Sequence, residues 1–157
     1  MDTGIRRLIA DFLAVRHTMS LATCGNGRPW ASSVFFVSDE ELQLYFLTDP
    51  ETLHGHNLEC GRVAATVNED CESWSEIQGV QLTGTVRQVP EADRATLLEL
   101  YFQKFPEVGR MGRQPRNDQE RLIGQRLLST PLYHISPDWL RLIDNRTRFG
   151  FKQEISL

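Results

Sequence analysis

Residues 18–38 read "TMSLATCGNGRPWASSVFFVS", and the middle of that stretch sets the fold class. Asn26 and Gly27 tolerate positive φ, which a tight hairpin turn demands, so the runs on either side form antiparallel strands. A second polar turn, "SDEE" (38–41), leads into "LQLYFLT" (42–48), a strand with Leu42, Leu44 and Phe46 on one face. The sheet therefore starts as a meander. Upstream, Ile5, Leu8, Ile9, Phe12 and Leu13 recur at helical spacing and give the first 20 residues one apolar stripe.

Downstream, "RVAATVNE" (62–69) is a fourth strand of mostly small or β-branched residues, suited to tight burial. "EIQGVQLTGTVRQV" (76–89) is a long fifth strand in which Gly79 and Gly84 mark a bulge, a bend or a close ligand approach. "PEADRATLLELYFQKFP" (90–106) is a helix behind Pro90, with Ala95, Leu98, Tyr101, Phe102 and Phe105 as its stripe. Residues 107–118, rich in glycine and arginine, read as an exposed excursion before a second short helix. "PLYHIS" and "DWLRLIDN" are closing strands, and "RTRFGFKQEISL" is a strand or a tail. Six or seven strands with mostly short connections predict a small antiparallel barrel flanked by short helices, a single domain over 1–157. Side chains fill a barrel of this size, so a sizeable ligand lies outside it or between two barrels.

Composition excludes several function classes. A net charge of -4 over 157 residues leaves no broad basic field for nucleic acid. The arginines of "GRMGRQPRNDQERLIGQR" are interleaved with Asp118 and Glu120 and read as a solvated loop leading into a helix. No apolar run is long enough for a bilayer, and the N-terminal helix lacks a cleavage-type end, so a cytoplasmic protein is expected. Cys24, Cys60 and Cys71 lack metal-type spacing and fit reduced thiols.

The chemistry concentrates in "FLTDPETLHGHNLECG" (46–61). Thr48 or Asp49 caps a short helix, Pro50 suits its first turn, and Thr48 with Glu51 has capping-box spacing. Free amides at a helix start favour an anion, and Thr48, Thr52 and His54 add donors. Asp49 and Glu51 either repel a phosphate or themselves satisfy the helix dipole. His54 and His56 stand two apart and share no helix face, so no metal site is expected there. His17 and His134 read as structural. Gln81 either offers its carboxamide to a flat heterocycle or stands in the ladder facing water. No nucleophile–base pair, Walker loop or Rossmann fingerprint occurs, so a cofactor has to carry any catalysis.

In order and spacing, "SLAT…GRPWASSVFF", "LYFLTDPETLHGHNL", "VAATVNED" and "IQGVQLTGTVRQV" resemble the FMN-binding split-barrel superfamily, best known for pyridoxamine 5'-phosphate oxidase. The likeness covers about residues 8–152, and "YFQKFPEVGRM" and "DNRTRFGFK" are similar to its bacterial YhbP-like branch. It implies a six- or seven-stranded split barrel, and a homodimer with flavin mononucleotide (FMN) at the interface. The implied activity is a flavin-dependent oxidoreductase or flavin-reductase-like enzyme acting on a small molecule. By the same likeness Ser32, Ser33, Val34 and Phe35 run along the flavin ring, beside Leu47, while Thr48 and Thr52 hold the phosphate. Leu53 and His54 occupy places where the family carries arginine and lysine, and Gln81 lies on the strand flanking the flavin edge. The arginine- and histidine-rich C-terminal motif for the vitamin phosphate is not recognisable in residues 137–157, so pyridoxamine phosphate oxidation is not expected. Two rival readings are a haem-binding split barrel, with His54, His56 or His134 as axial ligand, and a non-catalytic flavin-binding dimer.

Overall fold

A computed structural model describes residues 3–157; Met1 and Asp2, which the reading of the first helix includes, lie outside the described residues. The hairpin forms as its turn demands. Strand β1 (Thr18–Gly25) pairs with β2 (Arg28–Phe35) through Asn26 and Gly27, at φ 51° and 71°. A two-residue β3 (Val37–Ser38) and β4 (Leu44–Leu47) continue the meander. Leu42 is fully buried as expected, but in the turn before β4, at φ 64°. There follow β5 (Arg62–Asn68), β6 (Gln78–Gln88), β7 (Leu132–Asp144) and β8 (Lys152–Ser156).

Among the described residues these make one antiparallel sheet in the order β2-β1-β5-β6-β7-β4-β3, with β8 also on β7. The sheet curls into a half-barrel that stays split, because β2 has no hydrogen-bonded neighbour on its free side. Strict alternation fills the inside: Met19 and Leu21 from β1, Val63 and Val67 from β5, Val80 and Leu82 from β6 all point inward. Helix α1 (Thr3–Ala14) adds Ile5, Ile9, Phe12 and Leu13 to this core, whereas Leu8, from the same expected stripe, is 51% exposed.

Three differences from the sequence reading have physical causes. The two expected closing strands are one, β7, because Pro137 sits opposite Gly84 where the β6–β7 register slips. A proline at a bulge removes no ladder hydrogen bond. Gly84 is required there, since an added Cβ would lie 2.5 Å from the Ser136 carbonyl oxygen, while Gly79 keeps regular register. The expected excursion at 107–118 is largely helix. Helix α3 (Glu91–Lys104) is followed by α4 (Pro106–Arg113) and α5 (Asp118–Ser129). Arg110 grips Glu120 through two 2.8 Å hydrogen bonds and ties α4 to α5. A second apolar cluster, including Tyr45, Leu98, Tyr101 and Phe102, packs α3 on the outside of β3 and β4.

Candidate cofactor site

The opening of the barrel and the polar segment after β4 meet at one cavity of ≈ 430 Å³. Its first wall is the end of β2, with Ser33, Val34 and Phe35. This strand is exposed or half-exposed along its whole length, so Phe35 stays 57% exposed. Leu47, Thr48, Asp49 and His54 form the second wall. The third is α5, with Ile123, Arg126, Leu127 and, just past its end, Thr130. Arg94 holds that end in place by donating to the carbonyls of Leu128 (2.6 Å) and Thr130 (2.8 Å).

The polar segment folds later than its sequence suggests. Helix α2 (Leu53–Asn57) is capped by Thr52, not by Thr48 or Asp49, and Pro50 stands in the turn before it. Asp49 instead accepts from the Glu51 amide at 2.9 Å, the turn chemistry that aspartate favours. Thr52 Oγ1 accepts from the Gly55 amide (3.1 Å) and gives its own proton to the Asp49 carbonyl (2.7 Å). Toward His54 Nε2, 3.3 Å away, it is therefore an acceptor. Thr48 Oγ1, buried, lies 2.6 Å from the same nitrogen. A proton on Nε2 satisfies both threonines, a tautomer assigned from the network, and leaves the Thr48 hydroxyl proton free for a ligand. Burial pushes the His54 pKa below the ordinary histidine value, so the ring is neutral at pH 7.

Of the residues that the sequence singles out, Ser33, Val34, Phe35, Leu47, Thr48 and His54 come together here. Thr52 stands behind His54 as cap and acceptor. Ser32, the cross-strand partner of Leu21, does not line this cavity, and its Oγ is buried without a hydrogen-bond partner. Leu53 turns away, 53% exposed, into a neighbouring ≈ 700 Å³ cavity with Arg28, Trp30 and His56. Gln81 is also apart. It sits between Thr66 and Arg141 in the cross-strand ladder, and its Oε1 accepts from Arg141 at 3.4 Å. His134 lies elsewhere, stacked on Tyr45 at 4.9 Å. Cys24, Cys60 and Cys71 are exposed and unpaired.

The α5 wall is what sequence reasoning misses. Arg126 is the cavity's cation, paired with Asp49 at 3.0 Å. The available signal was the spacing of Ile123, Leu127 and Thr130, four and three residues apart on one helix face. The result is a mostly apolar slot with one neutral hydroxyl–imidazole pair and one ion pair at its polar end.

The pyridoxamine 5'-phosphate oxidase family model matches residues 5–128. The UPF0306 protein of Cronobacter sakazakii is 31% identical over 92% of this chain and 90% of its own length. The UPF0306 protein YhbP of Salmonella arizonae is 27% identical over 92% of this chain and 88% of its own. Among solved structures, HutZ, the haem storage protein of Vibrio cholerae, superposes with a TM-score of 0.57 and 24% identity, over 83% of this chain and 88% of that one. No described helix is long and apolar enough to cross a membrane. With its split half-barrel, a family match across most of its length and full-length likeness to the UPF0306 proteins, the chain belongs to the pyridoxamine 5'-phosphate oxidase family, in the YhbP-like branch.

Proposed function

We propose that the chain binds FMN in the cavity between β2, the end of β4 and α5, and acts as a dimeric flavin-dependent oxidoreductase or flavin reductase on a small molecule. The observation that carries this reading is the meeting of Ser33–Phe35 with the Thr48–His54 pair on one cavity. The residues present fit such a group. The volume of ≈ 430 Å³ falls in the usual range of about 300–1,000 Å³ for cofactor pockets. Val34, Phe35, Leu47, Ile123 and Leu127 offer apolar surface to a flat ring.

The polar end suits a phosphate, though weakly. Thr48 has a hydroxyl proton to give, and Arg126 supplies positive charge shared with Asp49. Leu53, where the family has arginine, supplies none. Bound flavin would contribute hydride acceptance, chemistry that side chains alone do not offer. The chain's own part is to bind and orient: Thr48 and Arg126 hold the anionic end, and β2 and α5 shield the ring from water. Dimerisation fits the exposed β2 and its open edge, which a second copy would cover.

Titrating the flavin-free protein with FMN and with riboflavin, read by absorbance, tests the reading. FMN is expected to bind tighter than riboflavin, and His54→Ala to weaken FMN about tenfold by removing the partner of Thr48. Equal affinity for the two flavins would remove the phosphate from the site, and binding of neither would end the proposal. A second reading, haem binding, draws support from the fold shared with HutZ and from His56. Its exposed ring lines the ≈ 700 Å³ cavity beside Trp30 and has no hydrogen bond among the described residues. A Soret band that His56→Ala abolishes, in a protein indifferent to flavin, would establish that reading instead.

A further inference from the structure

Another cavity, ≈ 320 Å³, shares no residue with the candidate cofactor site. It lies where β4, β6 and β7 run under the first turns of α3. Its floor is aromatic, the rings of Tyr45 and His134 stacked 4.9 Å apart at 19°. Tyr45 Oη donates to Asp39 at 3.2 Å, and His134 Nε2 meets Gln43 Oε1 at 2.8 Å. An amide oxygen only accepts, so Nε2 carries the proton and Nδ1 remains an acceptor. Val89, Pro90 and Leu97 make an apolar wall.

Besides Thr96, two charges of opposite sign line it, Arg87 from β6 and Asp93 from α3. Among the described residues neither has an ion-pair partner or a side-chain hydrogen bond, and they do not pair with each other. The cavity thus presents a free guanidinium, a free carboxylate, an imidazole acceptor and an apolar wall within one small volume. Each has a complement in a single kind of molecule. The planar guanidinium takes a carboxylate in two parallel hydrogen bonds. An ammonium, which only donates, suits Asp93 and His134 Nδ1. A short aliphatic chain suits Val89, Pro90 and Leu97 over the Tyr45–His134 floor.

We propose that this cavity binds a small zwitterion, an aliphatic α-amino acid, with its carboxylate on Arg87 and its ammonium on Asp93. The volume, at the low end of the usual range of about 300–1,000 Å³, suits a ligand of that size and not a flavin or a haem. The proposal stands apart from the flavin reading, and its test uses the full chain without flavin.

L-Valine, L-valinamide and N-acetyl-L-valine are titrated separately, read by NMR at the amides of Val89 and Leu97 and the His134 ring. L-Valine should shift all three saturably. L-Valinamide, lacking the carboxylate, and N-acetyl-L-valine, lacking the ammonium, should bind about tenfold more weakly or worse, the loss expected for one charge-assisted hydrogen-bonded contact. Arg87→Gln should remove the preference for L-valine over L-valinamide, and Asp93→Asn the preference over N-acetyl-L-valine. Both side chains are exposed, so both variants keep the fold, which an unchanged amide spectrum elsewhere verifies. Absence of a saturable L-valine shift, equal affinity for all three probes, or preferences that survive both substitutions would overturn the proposal.

Discussion

Thr48 and His54 show how one residue's environment is set by another's. Burial keeps both His54 and His134 below the ordinary histidine pKa, His134 with added help from the Arg87 charge and opposition from Asp39. The folded chain therefore binds fewer protons than the unfolded chain once the pH falls below about 6.5. Stability is full above that value and declines as the pH falls from it toward the folded pKa values. The urea midpoint should drop between about pH 7 and about pH 5, and His54→Gln should flatten part of the slope. A midpoint constant across that range would mean both rings are freely solvated. Arg126 makes a different prediction. Its pair with Asp49 is exposed on the arginine side, so Arg126→Gln should change stability by less than about 1 kcal/mol. The same substitution should lower the ratio of FMN to riboflavin affinity by about tenfold, because it leaves Asp49 uncompensated at the anionic end. An unchanged ratio would place the phosphate elsewhere. The threonines and His54 were legible in the sequence by type; Arg126 was not, because nothing local links it to a loop 77 positions earlier.

The strands and turns follow from local rules, and the exceptions lie where tertiary contact overrides them. Asn26-Gly27 fixed the β1–β2 hairpin by itself. Ser136-Pro137 looked like a strand end, yet β7 runs through it because β6 supplies a bulge at Gly84. Gly84→Ala should therefore cost about 1–3 kcal/mol in urea unfolding, since its Cβ would press on the Ser136 backbone. A neutral substitution would show that the two strands part easily at that point. Helix α4 has the glycines and arginines of a loop, and packing makes it a helix. Gly109 lets it lie close on Phe102, where a Cβ would come within 2.9 Å of that side chain's own, and Arg110 clamps Glu120. Helix propensity alone scores such a segment poorly.

At the scale of the whole molecule, the outer face of the sheet carries small residues in register. Ala31, Ala22 and Ala64 stand side by side, as do Ser33, Ser20 and Thr66. If the proposed dimer forms, this face, with the unpaired edge of β2 beside it, is the surface a second copy would cover. Sedimentation should give twice the chain mass, and Ala22→Arg, on an exposed position, should yield a folded monomer with weakened flavin binding. A monomeric parent protein would leave the cofactor cavity open on one side and count against the dimer. By itself the sequence determined the antiparallel meander, the inward stripes of α1 and the sheet, and the polar segment after β4. Those depend on neighbours in the chain: turn residues, alternation and capping act over a few positions. Only the tertiary structure decided that residues 106–113 form a helix and that α5 forms a cavity wall, that Arg126 meets Asp49, that Leu53 faces a different cavity from His54, and that Gln81 sits in the ladder beside Arg141. Such outcomes depend on which surfaces are left once the barrel has curled, and side-chain partners across that distance leave no period or spacing in the chain.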